Sequence, residues 1–268
     1  LKDGQGRGIS CGFWFNHGGE TAVSLALSED GTAQISVGTP DIGGSRASMA
    51  LMAAEELGIP YEHIRCTIAD TATLGYNEIS HGSRVTYASG LATIKAAKDV
   101  VHKLCKRAAQ KWDIPEDAVK WEDGCAVPSG ANAGDFDPLP LHKITANMGA
   151  TGGPIVGHFE ATPEGAGVSF ATHIVDAEVD HATGKTKIVR YTVVQDAGKA
   201  IHPTYVEGQY QGGAAQGIGW ALNEEYIYGD DGRLQNAGFL DYRIPLASDL
   251  PMIDTVIVEV ANPGHPYG

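Results

Sequence analysis

No apolar run in the sequence approaches the roughly 20 residues needed to cross a bilayer. Bases are few: 19 Lys and Arg face 33 Asp and Glu, a formal net charge of −14 over 268 residues. That balance argues against sequence-independent binding to nucleic acid or to an anionic membrane, since both need a cationic face. A local pocket for one phosphate stays possible. Cysteine is scarce as well. Cys11, Cys66, Cys105 and Cys125 form no C-x-x-C pair and match no zinc or iron–sulfur spacing, a usage ordinary for a reducing cytoplasm. H-E-x-x-H, G-x-x-x-x-G-K-[ST] and G-x-G-x-x-G are all missing, and Gly8-Ile-Ser-Cys-Gly12 lies inside a strand-like run, so there is no G-x-S-x-G elbow. Zincin, serine-hydrolase, Walker and Rossmann readings are therefore unsupported. The opening residues, from Leu1 to Gly8, are polar and Gly-rich, unlike a secretory signal. Leu1 in place of Met implies a chain that was cut or continues upstream.

What the chain has is apolar content and glycine. Hydrophobic residues make up 43% and charged residues 19%, enough to bury a core. The 35 glycines are about 13% of the chain, against an average near 7%. They gather at particular turns, which suggests backbone brought close to something, or many tight loops.

The apolar periodicity predicts strands over residues 8–16, 21–27 and 33–37, the last two joined as a hairpin by Glu29-Asp-Gly31. An amphipathic helix follows over 46–57, with Met49, Met52, Ala53 and Leu57 on one face, stopped by Gly58-Ile-Pro60. A short strand over 64–69 leads through a loop to a long helix over 91–112. Residues 127–157, rich in Gly, Pro and Asn, read as a boundary or a long excursion. The second half opens with strands over 168–179 and 185–194 around Asp180-His-Ala-Thr-Gly184. A helix over 204–225 then carries Gly208, Gly212, Gly213, Gly217 and Gly219. Each costs about 1 kcal/mol against Ala in a helix interior, so another backbone or a ligand should lie against that face. A final strand is expected over 255–260. The whole reads as an α+β fold with mixed sheets and packed helices, in two similar-sized halves, 1–150 and 151–268.

Two loops can carry chemistry. Gly38-Thr-Pro-Asp-Ile-Gly-Gly-Ser45 opens the first helix, so its glycines and the positive helix end form a ready anion site. On this loop alone a tight turn is the simpler reading. His81-Gly-Ser-Arg84, leading into the long helix, suits a phosphate or polar heterocycle and a plain turn about equally. His81, His173 and His202 could each be ligands, but a structural role suits each better. Glu55-Glu56 and Glu224-Glu225 read as solvated pairs. Asp176 and Asp196 sit near strand ends with nothing to make them catalytic acids.

Taken together, four ordered segments resemble the molybdopterin-binding part of the xanthine dehydrogenase and aldehyde oxidase family. They are residues 38–45 followed by Ala53-Ala-Glu-Glu-Leu-Gly-Ile-Pro60; Asp70-Thr71 with Gly82-Ser-Arg84 and Gly90; the 206–219 stretch ending in Glu224-Glu225; and Asp241-Tyr-Arg-Ile-Pro245 with Pro266-Tyr-Gly268. The resemblance spans nearly the whole chain. It implies an oxidoreductase that hydroxylates an N-heterocycle or oxidises an aldehyde with oxygen from water. The cofactor would be a molybdopterin, in its cytosine dinucleotide form, holding molybdenum. Iron–sulfur clusters and FAD would sit on partner subunits or domains, alongside the rest of the molybdopterin subunit, in the cytoplasm. By matching positions it implies cofactor contacts from Ile42, Gly43, Gly44 and Ser45, from His81, Gly82 and Ser83, and from Gln209. The family usually carries Gln where this chain has Gly44 and Gly where it has Ser45, which removes one amide side chain from the set. The family's catalytic Glu follows a Pro-Tyr-Gly like 266–268, so it would lie beyond Gly268. The chain alone is expected to be inactive. A non-catalytic relative serving as an assembly or cofactor-delivery scaffold is the alternative.

Overall fold

The computed structural model describes residues 2–16, 18–68, 72, 74–163 and 167–268. In chain order the elements are β1 (Gln5–Phe15), β2 (Thr21–Leu27), β3 (Ala33–Val37), α1 (Ser45–Leu57), β4 (Ile64–Ile68), α2 (Gly90–Trp112), β5 (Val119–Glu122), β6 (Cys125–Pro128), β7 (Leu139–Pro140), α3 (Leu141–Thr145), β8 (Val156–Ala161), β9 (Val168–Val179), β10 (Thr186–Asp196), α4 (Pro203–Leu222) and β11 (Ile253–Val258). The fold is α+β with mixed sheets. No helix among the described residues is long and apolar enough to cross a membrane.

Two compact units divide the chain. One comprises Phe15–Gly167 with Pro263–Pro266. The other comprises Leu1–Trp14, Val168–Asn262 and Tyr267–Gly268. This differs from halves at 1–150 and 151–268 in two places. The backbone of β8 pairs with β2 and so stays with the first unit, while β1 lies beside β9 and joins the second.

In the first unit the sheet order is β4-β3-β2-β8, with β3 and β4 parallel. Alternation decides its faces. Val23, Leu25, Leu27, Ala33, Ile35 and Val37 turn inward and are buried. Helices α1 and α2 bring Met49, Ala53, Leu57, Val100 and Leu104 into the same core. Ala92, Ala96, Val100, Leu104 and Ala108, four residues apart, give α2 its buried stripe. At β8 the helix comes so close that a Cβ on Gly157 would strike the Ala96 carbonyl oxygen and Val100. A small sheet, β5-β6-β7, occupies part of the stretch read as an excursion.

In the second unit the order is β1-β9-β10-β11, with β9 and β10 antiparallel and β10 and β11 parallel. Helix α4 packs Tyr210 and Ala214 on Val193 and Ile253. Among the described residues, a Cβ on Gly208, Gly212, Gly213 or Gly217 would meet nothing within 4 Å, whereas one on Gly219 would be crowded by Glu224 and Pro245. These glycines leave an open face.

Candidate functional site

Both loops singled out by sequence lie in the first unit, and they share one design. In the first, the Ser45 amide donates to the Ile42 carbonyl at 3.2 Å across Gly43 (φ 61°) and Gly44 (φ 77°). In the second, the Arg84 amide donates to the His81 carbonyl at 3.2 Å across Gly82 (φ 58°) and Ser83 (φ 61°). Positive φ at both central positions is the signature of a type I′ turn. The first turn runs straight into α1. The second runs into a π-helical turn, Val85–Ser89, that continues as α2. The start of α2 touches the middle of α1, where Gly90 lets Met52 approach. Glycine suits three of the four central positions. Ser83 adopts the left-handed conformation as a non-glycine, at a strain cost of order 1–3 kcal/mol.

Much of the first turn's hydrogen-bonding capacity is taken up within the chain. The Arg46 amide donates to Asp41 Oδ1 at 3.1 Å, and Ala47 and Ser48 donate to the Gly44 carbonyl. Ser45 is buried, and its Oγ accepts the Ile42 amide at 3.3 Å. Ile42 is exposed. Among the described residues of this turn, the amides left without a protein acceptor are those of Gly43 and Gly44.

The second turn is anchored by Arg84, which is fully buried. Its Nε donates to the Gly18 carbonyl at 2.6 Å, Nη1 to Glu78 at 3.0 Å, and Nη2 to Gly19 and Glu20 at 3.2 and 2.9 Å. Burial pulls its pKa down, against the nearby Glu78, but a guanidinium keeps its charge. His81 Nε2 lies 3.2 Å from Glu78 Oε1. The Asp70-Thr71 pair lies outside the described residues.

Two hydroxyls beside these turns lack partners. Thr39, 1% exposed, sits at the start of the first loop, and Ser80 immediately precedes the second turn. Neither hydroxyl has a hydrogen-bond partner among the described residues. A buried, unsatisfied hydroxyl costs about 1–3 kcal/mol. With the Gly43, Gly44, Gly82 and Ser83 amides given no acceptor among the described residues, the donor set fits a large polar group carrying carbonyl, ring-nitrogen or phosphate acceptors. Thr39, Asp41 and Ser80 were not singled out by sequence. Their only signal was membership of a Gly-rich loop.

Gln209 lies in the second unit, exposed on α4 among the open glycines. The other candidates are structural. His173 Nδ1 lies 3.0 Å from Tyr191 Oη, and burial lowers its pKa. His202 stacks on Tyr205 at 3.8 Å. Asp176 pairs with Arg7, which holds its carboxyl below the usual range. Asp196 accepts the Gly198 and Val260 amides. Among the described residues no cluster of three His, Cys, Asp or Glu could hold a metal ion.

Residues 2–251 match the family model described as the molybdopterin cofactor-binding domain. The chain is 29% identical over 283 residues to the 6-hydroxypseudooxynicotine dehydrogenase complex subunit gamma of Paenarthrobacter nicotinovorans, covering 99% of this chain and 34% of that one. It is 30% identical over 253 residues to the carbon monoxide dehydrogenase large chain of Hydrogenophaga pseudoflava, covering 92% and 31%. It thus spans about a third of the length of these relatives. Among solved structures, the Cu,Mo-CO dehydrogenase superposes with a TM-score of 0.90 at 23% identity, covering 98% of this chain and 35% of that one. Quinoline 2-oxidoreductase from Pseudomonas putida 86 superposes at 0.87 and 24% identity, covering 98% and 36%. At these identities the superpositions speak to the fold.

Proposed function

Because this chain belongs to the molybdopterin cofactor-binding domain family, we propose that it is the cofactor-holding part of a molybdenum hydroxylase, an oxidoreductase acting on an N-heterocycle or an aldehyde. When bound, the cofactor supplies a molybdenum centre that takes two electrons from substrate while water supplies the oxygen. The chain's own task is to bind and orient. The amides of Gly43, Gly44, Gly82 and Ser83 donate to the cofactor. Thr39 and Ser80 give their hydroxyls to it, and Gln209 gives its side-chain amide. Ile42, Ser45 and His81 shape the two turns that aim these donors. No residue of this chain is assigned a proton-transfer role.

The observation that carries the reading is the pair of matching turns, each entering a helix and each flanked by an orphaned hydroxyl. The finer assignments are a cytosine dinucleotide form of the cofactor, iron–sulfur and FAD partner subunits, the rest of the molybdopterin subunit, and a cytoplasmic setting. Of these, the partner subunits draw support from the relatives' names as a complex subunit and a large chain; the others rest on the family resemblance alone.

The test is elemental. The native particle containing this polypeptide should carry molybdenum and a pterin in equal amounts, with several irons and co-purifying subunits. Gly43→Val should lower the pterin content without unfolding the protein. A particle free of molybdenum and pterin overturns the proposal.

A further inference from the structure

We propose that Asp41 is the selectivity residue of the first turn. It fills the anion position at the start of α1, so the turn accepts a neutral hydrogen-bond acceptor, such as a ring carbonyl or ring nitrogen, and turns away a phosphate. The inference rests on the cofactor-holding reading of the turns and assigns them different parts of the ligand.

A strand, a Gly-rich loop and a helix in succession ordinarily make a phosphate site, because the first helical amides and the helix dipole attract negative charge. Here those features converge on a carboxylate of the chain itself. Asp41 Oδ1 takes the Arg46 amide at 3.1 Å, and Oδ2 lies 3.4 Å from Arg46 Nε. The amide, the helix end and the one nearby guanidinium therefore serve a single internal anion. The remaining first-turn amides, those of Ala47 and Ser48, bond to the Gly44 carbonyl. A phosphate arriving at Gly43 and Gly44 would meet the Asp41 charge, and the nearby Arg46 guanidinium is already paired with that carboxylate.

What the turn leaves open is neutral. The Gly43 and Gly44 amides can donate. The Thr39 hydroxyl, 1% exposed and without a partner among the described residues, independently marks the loop as short of a ligand atom. Among the described residues no carboxylate accepts the second turn's amides; Glu78 pairs with the His81 ring instead. Its own cation, Arg84, is spent on four backbone carbonyls. Any diphosphate of the ligand is therefore directed away from the first turn.

The test uses the intact, cofactor-free protein and inorganic pyrophosphate as probe. Asp41→Asn keeps an oxygen acceptor for the Arg46 amide and removes only the charge. Binding is read by calorimetry and located by hydrogen exchange of peptides covering residues 38–48 and 78–90. In the wild type, excess pyrophosphate should leave 38–48 unprotected. In Asp41→Asn, binding should tighten about tenfold, the effect of one nearby charge at a helix end, and protection should appear in 38–48. Exchange elsewhere reports whether the variant is folded. Pyrophosphate protection of 38–48 in the wild type overturns the proposal, and so does unchanged binding in the variant. The probe is not the cofactor. A native particle that lacks pterin would therefore sink the cofactor reading while leaving the Asp41 result legible.

Discussion

Gly58 and Gly124 stand back to back. A Cβ on Gly58 would run into the Gly124 amide nitrogen, and a Cβ on Gly124 into the Gly58 carbonyl oxygen. Gly58 (φ 64°) caps the C-terminus of α1, the helix whose other end forms the first turn. Gly124 (φ 75°) turns the β5–β6 hairpin. Trp121 Nε1 seals the same junction by donating to the Leu57 carbonyl at 3.0 Å.

Ala at either glycine should therefore be severe. Positive φ alone costs a side-chain-bearing residue of order 1–3 kcal/mol, and rigid backbone rather than a flexible side chain blocks the new methyl. We expect Gly58→Ala and Gly124→Ala each to lower stability by about 2 kcal/mol or more, read as a drop in the urea midpoint. A loss near zero would show that the two backbones can separate freely. Gly130, in open space with φ 63°, is the control. Gly130→Ala carries the strain without the collision and should cost less.

Thr39→Val tests the orphaned hydroxyl directly. Val keeps the shape and removes the unsatisfied oxygen, which is otherwise worth about 1–3 kcal/mol. The cofactor-free protein should melt at the same temperature or higher, while cofactor retention falls. Opposite signs in melting temperature and pterin content are the diagnostic pattern. A variant that loses stability and keeps its cofactor would assign Thr39 a structural hydrogen bond instead.

Acid should loosen the segment around His265. This ring is buried, stacks on Tyr87 at 4.7 Å, and its Nε2 lies 3.0 Å from the Tyr87 carbonyl, an oxygen that can only accept. Burial pulls its pKa below the ordinary value of 6.5, more than that hydrogen bond raises it. The folded state therefore disfavours the proton that the unfolded chain takes up near pH 6.5. The stability from neutral His265 is fully present above about pH 6.5 and is lost as pH falls through the lower folded value. His265→Phe keeps an aromatic stack and cannot titrate. Its melting temperature should fall less steeply than the wild type's between about pH 6.5 and pH 5. His173, lowered in the same sense, is common to both proteins and cancels in the comparison. Parallel curves would remove His265 from the account.

Local physics makes much of this protein legible in the amino-acid order alone. Thr21–Leu27 and Ala33–Val37 announce themselves by alternation, α1 by its Met and Ala spacing, and its end by Gly58, which sits in the left-handed region. The β9–β10 hairpin follows from two β-rich runs around Asp180 and Gly184. The two Gly-rich loops are visible too, because the glycines that positive φ requires stand in the sequence itself. Each of these depends on neighbours within a few residues.

The rest was decided by contacts between residues far apart in the chain. Strand β8 has no clean alternation, because α2 presses on it at Gly157 and demands the missing side chain. β11 lies parallel to β10, beyond a helix and a long loop, and no local pattern states that register. Arg84 reads only as the last residue of a short polar loop, yet it is a buried clamp on four carbonyls, three of them more than 60 residues away. Asp41 reads as one polar residue in a glycine loop. Only the folded turn brings its carboxylate onto the Arg46 amide, and that single contact decides which kind of group the loop can receive. Propensity and spacing are written along the chain; hydrogen-bond ownership and burial are settled by which distant atoms arrive first at each donor.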